Sequence, residues 1–153
     1  MKTINIFFLL SASAMLILNS CDNEETVSKP EITLIELGYE NTKTAMQGMD
    51  LHIEAEVIAE GKIKTIQVIV HPEGEHLKKG SMGSFVFDEW EFDSVYTEFS
   101  GLKNTTFHKH ASVPVTAEIG HYHFDFIVTD MEGNQSSVDD EVEILISSST
   151  DMK

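Results

Sequence analysis

This chain contains two His-x-His pairs, His108 with His110 and His121 with His123. Their residue type and spacing could support chemistry at a bound ion. The chain has 7 histidines among 153 residues. Random placement would give only roughly 0.3 such pairs, so two pairs are an excess. Imidazole nitrogens bind Zn(II), Cu(II) and Ni(II). Side chains two residues apart on a β-strand project to the same face, so each pair could present both rings to one ion.

The segments that carry the histidines alternate between apolar and polar residues, which is typical of strands with one buried face. Between Asp50 and Ala59 every second residue is apolar, and His52 and Glu54 lie on the polar face. Similar patterns predict further strands at 31–37, 63–71, 106–115, 120–129 and 138–147, with one or two more between 85 and 99. Seven or so short strands predict an all-β, antiparallel β-sandwich.

The N-terminus has the pattern of an exported lipoprotein. Lys2 precedes an apolar run from Ile4 to Leu18, too short to cross a bilayer stably as a helix, which predicts a signal peptide over residues 1–20. The run ends in Leu18-Asn19-Ser20-Cys21, which resembles the lipobox of bacterial lipoproteins and implies that Cys21, the only cysteine, carries lipid. The acidic residues that follow resemble the export signal of surface lipoproteins in the Bacteroidetes. We therefore expect an outer-membrane lipoprotein at the cell surface.

The final predicted hairpin carries a second resemblance. Gly120-x-Tyr122-x-Phe124, followed by Val128-Thr129-Asp130-x-x-Gly133-Asn134, resembles the penultimate strand and turn of bacterial immunoglobulin-like domains. The resemblance implies that Tyr122 is the corner tyrosine whose hydroxyl returns to the backbone. Together with the lipobox, the mature chain resembles small uncharacterised Bacteroidetes lipoproteins with one immunoglobulin-like domain. The expected organisation is an acidic tether at 21–30, an immunoglobulin-like sandwich at 31–148 and a tail at 149–153.

The charge of the chain excludes several partners. It has 26 acidic and 10 basic side chains, a formal net charge of −16 and no arginine. Phosphate binding relies on arginine forks and positive patches, so nucleic acid is not an expected partner. Contact with the membrane is expected through the lipid at Cys21. The acidic surface attracts cations, including divalent metals, although acidity also keeps secreted proteins soluble.

The expected pairing of strands divides the metal-ligand candidates between two sheets. One group contains His52, Glu54, His108 and His110, and the other contains His71, His76, His121 and His123. The outward faces of the two sheets lie on opposite sides of a sandwich, so one site that used both His-x-His pairs would need a different strand assignment. The sequence is compatible with one metal site or with two. Each histidine taken alone is typical of a solvated strand position.

The sequence predicts a binding module that captures or transfers a transition-metal ion. Zinc or copper is the expected ion, and an outer-membrane transport protein is the expected partner. Met46 and Met49 lie near His52 in the sequence, and because thioether sulfur binds Cu(I), this ion is a further alternative. The alternative is a structural or adhesive immunoglobulin-like domain that binds a protein or glycan through the aromatic and acidic segment around Trp90. An enzyme is not expected, since the chain has no Gly-x-Ser-x-Gly elbow, although zinc beside a glutamate would also suit a hydrolase.

Overall fold

The computed structural model describes residues 27–73, 81–82 and 85–147. The expected signal peptide at 1–20, the lipidated Cys21, most of the tether, His76 and the tail at 149–153 lie outside these residues. Within the described ranges there is no helix with the length and hydropathy that a membrane span requires. The only helical element found there is a single 3-10 turn at Tyr39–Asn41.

The described chain is all-β. Its strands, in chain order, are β1 (Glu31–Leu37), β2 (Thr44–Met46), β3 (Asp50–Ile58), β4 (Ile63–Pro72), β5 (Ser81–Met82), β6 (Phe85–Val86), β7 (Phe92–Tyr96), β8 (Asn104–Ser112), β9 (Gly120–Asp130) and β10 (Gln135–Leu145). They form a three-stranded sheet in the order β1-β3-β8, a five-stranded sheet in the order β2-β10-β9-β4-β7 and a small β5-β6 ribbon. The prediction of an all-β chain with two principal sheets is confirmed.

The core lies between the two principal sheets and is formed by the apolar phase of each alternating strand. Phe107 of β8 and Phe126 of β9 belong to different sheets, and their ring centroids are 5.0 Å apart in an edge-to-face contact. Both rings are fully buried. Burial of a large apolar side chain stabilises the fold by about 1.5–3 kcal/mol. The same alternation leaves the polar phase of each strand, with the described histidines of β3, β4, β8 and β9, on the outer faces of the sandwich.

Tyr122 ties the start of β9 to the connection that precedes it. The side chain is 2% exposed, and its hydroxyl donates a hydrogen bond to the carbonyl oxygen of Glu118 at 2.7 Å. Burial raises the pKa of the Tyr122 hydroxyl, which therefore remains a donor. A hydrogen bond of this kind contributes about 0.5–1.5 kcal/mol to stability. This is the return to the backbone that the sequence resemblance implied for Tyr122.

The segment between β1 and β3 differs from the sequence prediction. It contains β2, a strand of three residues that runs parallel to β10. The chain thus passes from the three-stranded sheet to the five-stranded sheet and back. Gly38, where β1 ends, has a φ of 76°, and a Cβ there would lie 2.6 Å from the carbonyl oxygen of Thr44. A strand of three residues is too short to show a period of two, so the alternation pattern missed it.

Candidate metal centre

The three-stranded sheet places five potential ligands on its outer face, in two overlapping groups of three that share His52. In the ladder between β3 and β8, His52 is paired with His110, and Glu54 is paired with His108. In the ladder between β1 and β3, Glu36 is paired with Glu54. The strand pairing that the sequence predicted for His52, Glu54, His108 and His110 is therefore the one observed. We call these five residues the His52 cluster.

The three imidazole rings of the His52 cluster form a compact triangle. The ring centroid of His52 lies 4.8 Å from that of His108 and 5.1 Å from that of His110. The third side, from His108 to His110, is 5.5 Å. One ring nitrogen of each residue lies within 4.8 Å of the others. The triangle follows from the ladder, because directly opposite residues of an antiparallel pair have their Cβ atoms about 4.5–5.5 Å apart.

His52 is the central residue of the cluster, and one of its nitrogens is unsatisfied. Among the described residues, Nε2 of His52 is the one buried side-chain nitrogen or oxygen without a hydrogen-bond partner. It lies 3.6 Å from Oε2 of Glu36 and 3.8 Å from Oε2 of Glu54, both too far for a hydrogen bond. A buried polar atom without a partner costs about 1–3 kcal/mol. This nitrogen thus lies within ion-pair distance of two carboxylates but makes no hydrogen bond.

Glu36 reaches the cluster because of a β-bulge. The register between β1 and β3 shifts between Leu34 and Glu36, so Ile35 has no partner in the ladder. Regular alternation would turn Ile35 outward and Glu36 inward. The extra residue places Glu36 opposite Glu54, and Leu37 returns to the core with no exposure. Bulges commonly re-aim a side chain at a functional site.

The electrostatics of the His52 cluster favour a cation. Glu36 and Glu54 are directly opposite one another, with side chains only 30% and 28% exposed, and like charges in this arrangement repel. Lys109, between the two histidines of β8, is turned away from them. Its ammonium lies 2.9 Å from Oε1 of Glu98 and lowers the pKa of that carboxyl through a side-chain hydrogen bond. Lys109 therefore pairs with Glu98 and not with Glu36 or Glu54.

The remaining described candidates lie on the opposite side of the sandwich. His71 of β4 is paired with His123 of β9, and their ring centroids are 5.3 Å apart. Ligand atoms of Glu73, His121 and Glu141 lie within 4.8 Å of one another. These side chains belong to the five-stranded sheet and do not join the His52 cluster. The two His-x-His pairs therefore cannot share one ion.

The comparisons with known proteins supply a family. The family model described as "Domain of unknown function (DUF4625)" matches residues 19–145. The chain belongs to the DUF4625 family. Among curated proteins, no sequence matches this DUF4625 chain. The family assignment therefore comes without an established activity.

Solved structures resemble this DUF4625 domain in fold. A DUF4466 family protein from Parabacteroides merdae ATCC 43184 aligns with a TM-score of 0.53 and 14% identity, over 77% of this chain and 45% of that one. The GspB Siglec domain aligns with a TM-score of 0.48 and 19% identity, over 78% of this chain and 59% of that one. The chain thus spans less than two thirds of the length of either protein. At 14% identity the likeness to the DUF4466 family protein concerns the fold alone.

Trp90 is buried within the aromatic and acidic segment that the adhesive alternative uses as its contact surface. Its side chain is 6% exposed and packs against Tyr122, with ring centroids 5.7 Å apart, and against Phe92 at 6.3 Å. The indole is therefore part of the core of this DUF4625 domain. The physical reason is the usual one for a large aromatic ring, since burying it removes more apolar surface from water than any other side chain offers.

Three acidic residues near the histidines were absent from the sequence-based candidates. Glu36 breaks the alternation of β1, and a charged residue in the inward phase was the signal that could have found it. Glu73 and Glu141 lie beside His121 only because of the register between neighbouring strands. Glu141 lies on an exposed position within β10 and is paired with His123.

Proposed function

We propose that this domain binds a transition-metal ion at the His52 cluster. His52, His108 and His110 supply nitrogen ligands, and Glu36 or Glu54 supplies a carboxylate oxygen. The observation that carries the proposal is the buried Nε2 of His52, which has no hydrogen-bond partner and faces two carboxylates. An ion would satisfy this nitrogen and relieve the repulsion between the two glutamates.

The spacing of the ligand atoms suits zinc. Zinc bonds to nitrogen and oxygen of about 2.0–2.2 Å place the ligand atoms of a tetrahedral site roughly 3.4 Å apart. The observed separations of 3.6 Å and 3.8 Å from Nε2 of His52 to the two carboxylates are close to this value. Three nitrogens and one carboxylate favour Zn(II), with Cu(II) as the competing ion, over Mg(II) or Ca(II).

The cellular role that we propose is capture or transfer of this ion by a lipid-anchored, immunoglobulin-like module. The hydrogen bond from Tyr122 to Glu118 supports the immunoglobulin-like assignment. The lipobox-like sequence that ends at Cys21 supports a lipid anchor in the outer membrane at the cell surface. Residues 22–26 would tether the domain to that anchor with a reach of up to roughly 20 Å, since Val27 and Ser28 already contact Asn134 and Glu60 of the domain. An outer-membrane transport protein is the proposed recipient of the ion.

Titration of the metal-free protein with zinc and with copper tests the proposal. We expect one ion to bind with a dissociation constant at or below about 1 µM, measured by calorimetry. The double substitution His108→Ala with His110→Ala should weaken this binding by at least about 100-fold, because it removes two of the three nitrogens. No heat with the original protein, or unchanged heat with the double variant, would overturn the proposal.

Glu36 offers a second test, since the bulge places its carboxylate 3.6 Å from Nε2 of His52. We expect Glu36→Gln to weaken zinc binding by about 10-fold or more, as loss of a carboxylate near a metal typically does. Glu56→Gln is the matched control, because Glu56 projects from the same face of β3 and the charge change is identical. Equal effects of the two substitutions would show that only the overall charge matters and that Glu36 is not a ligand.

A further inference from the structure

The outer face of the five-stranded sheet carries a second group of potential ligands, formed by Glu73, His121 and Glu141. One ligand atom of each lies within 4.8 Å of the others, and all three side chains are exposed. The backbone N–H of Glu73 donates to the carbonyl oxygen of His121 at 3.0 Å, which holds Glu73 beside β9. Glu141 comes from β10 on the other side of β9, where it is paired with His123. Glu73 and Glu141, from the segments on either side of β9, thus converge on His121.

The adjacent row of this face adds two more imidazoles. His71, His123 and Glu141 are directly opposite one another across β4, β9 and β10. Nδ1 of His71 lies 3.2 Å from the carbonyl oxygen of Pro72. When Nδ1 donates its proton there, Nε2 of His71 keeps its lone pair, which is the tautomer that a metal ligand needs. The second row therefore extends the ligand set next to His121.

A surface groove of about 530 Å³ runs along this face. His121, His123 and Glu141 line it, together with Lys43 and Asp140. The ammonium of Lys43 is already paired with Asp140 at 2.8 Å. Because Asp140 neutralises Lys43, the carboxylate of Glu141 keeps its part of the groove negative. A concave, negatively charged surface concentrates cations.

We infer that this face is a second divalent-metal site, separate from the His52 cluster. Glu73, His121 and Glu141 are the ligands, with His123 as a neighbouring imidazole. One nitrogen and two carboxylates suit Zn(II) or Mn(II), with water in the remaining positions. All three ligands are solvated in the free protein, so an ion must order mobile side chains, and binding is weaker than at the buried His52. The inference does not rest on the proposed function, because the two sites share no residue.

The test uses the purified protein with His52→Ala, His108→Ala and His110→Ala, which removes all three nitrogen ligands of the first site. Zinc is added up to about 1 mM while the ring resonances of His121 and His123 are followed by NMR. We expect saturable shifts of His121, with a dissociation constant at least about 10-fold weaker than that of the original protein for its first ion. Absence of saturable shifts at His121 would overturn the second site and leave the first untouched.

A matched pair of substitutions in that background identifies the carboxylate ligand. Glu141→Gln should weaken zinc binding at His121 by about 10-fold. Asp139→Asn removes the same charge two residues earlier on the same face of β10 and should change the binding by less than about 3-fold. Equal weakening by both substitutions would reduce the site to a general electrostatic attraction and overturn the ligand assignment.

Discussion

Replacement of His52 by leucine should have opposite effects on metal binding and on the stability of the metal-free protein. Zinc binding should weaken by at least about 100-fold, because His52 is the central ligand of its cluster. The free energy of unfolding of the metal-free protein should rise by about 1 kcal/mol, because the substitution removes a buried nitrogen without a hydrogen-bond partner. Calorimetric titration measures the first effect, and denaturant unfolding in the presence of a chelator measures the second.

His110→Leu is the control for this experiment, since it places the same side chain on an exposed position of the same cluster. It should also weaken zinc binding, but it should change the stability of the metal-free protein by less than about 0.5 kcal/mol. If His52→Leu instead destabilises the metal-free protein and leaves zinc binding intact, then His52 is a structural residue and the proposed site is wrong.

Zinc should stabilise the folded domain strongly. An ion at the His52 cluster would join all three strands of the smaller sheet, since Glu36 lies on β1, His52 on β3, and His108 and His110 on β8. At a free zinc concentration of about 100 times the dissociation constant, the gain is about 2.7 kcal/mol. For a domain of this size, we expect the midpoint of thermal unfolding to rise by roughly 10 °C.

The specificity of this stabilisation can be checked in the same assay. A chelator should reverse the rise in the unfolding midpoint, and magnesium should produce little of it, because magnesium prefers an all-oxygen environment. His52→Leu should remove most of the zinc-induced rise. A rise of the same size in that variant would assign the effect to the opposite face or to weak surface binding.

The sequence predicted the outward direction of the histidines at the proposed metal centre because alternation carries that information, and the resemblance to immunoglobulin-like domains supplied the strand pairing. Once Leu51 and Ile53 are assigned to the core, His52 and Glu54 must face outward, and the same holds for His108 and His110 around Phe107 and Ala111. The immunoglobulin-like strand order then placed β3 beside β8 and β4 beside β9, as observed. That one His-x-His pair lies on each side of the sandwich followed from the same reasoning.

Features that depend on irregular backbone were beyond this reasoning. The bulge at Ile35 moves Glu36 to the other face, and a one-residue shift of this kind changes the side on which every following residue lies. The brief β2 was missed because three residues show no period. The position of Trp90 was open because an aromatic residue between acidic ones suits either a core or a contact surface, and only packing against Tyr122 decides between them.

By itself, the sequence determined the fold class, the outward direction of the described histidines and the acidic character of the surface, since these follow from side-chain chemistry and a period of two. The tertiary structure alone decided that Nε2 of His52 is buried without a hydrogen-bond partner and that Glu36 and Glu54 face it. Burial and register depend on how three separate strands meet. No local pattern along one strand records the position of its neighbours.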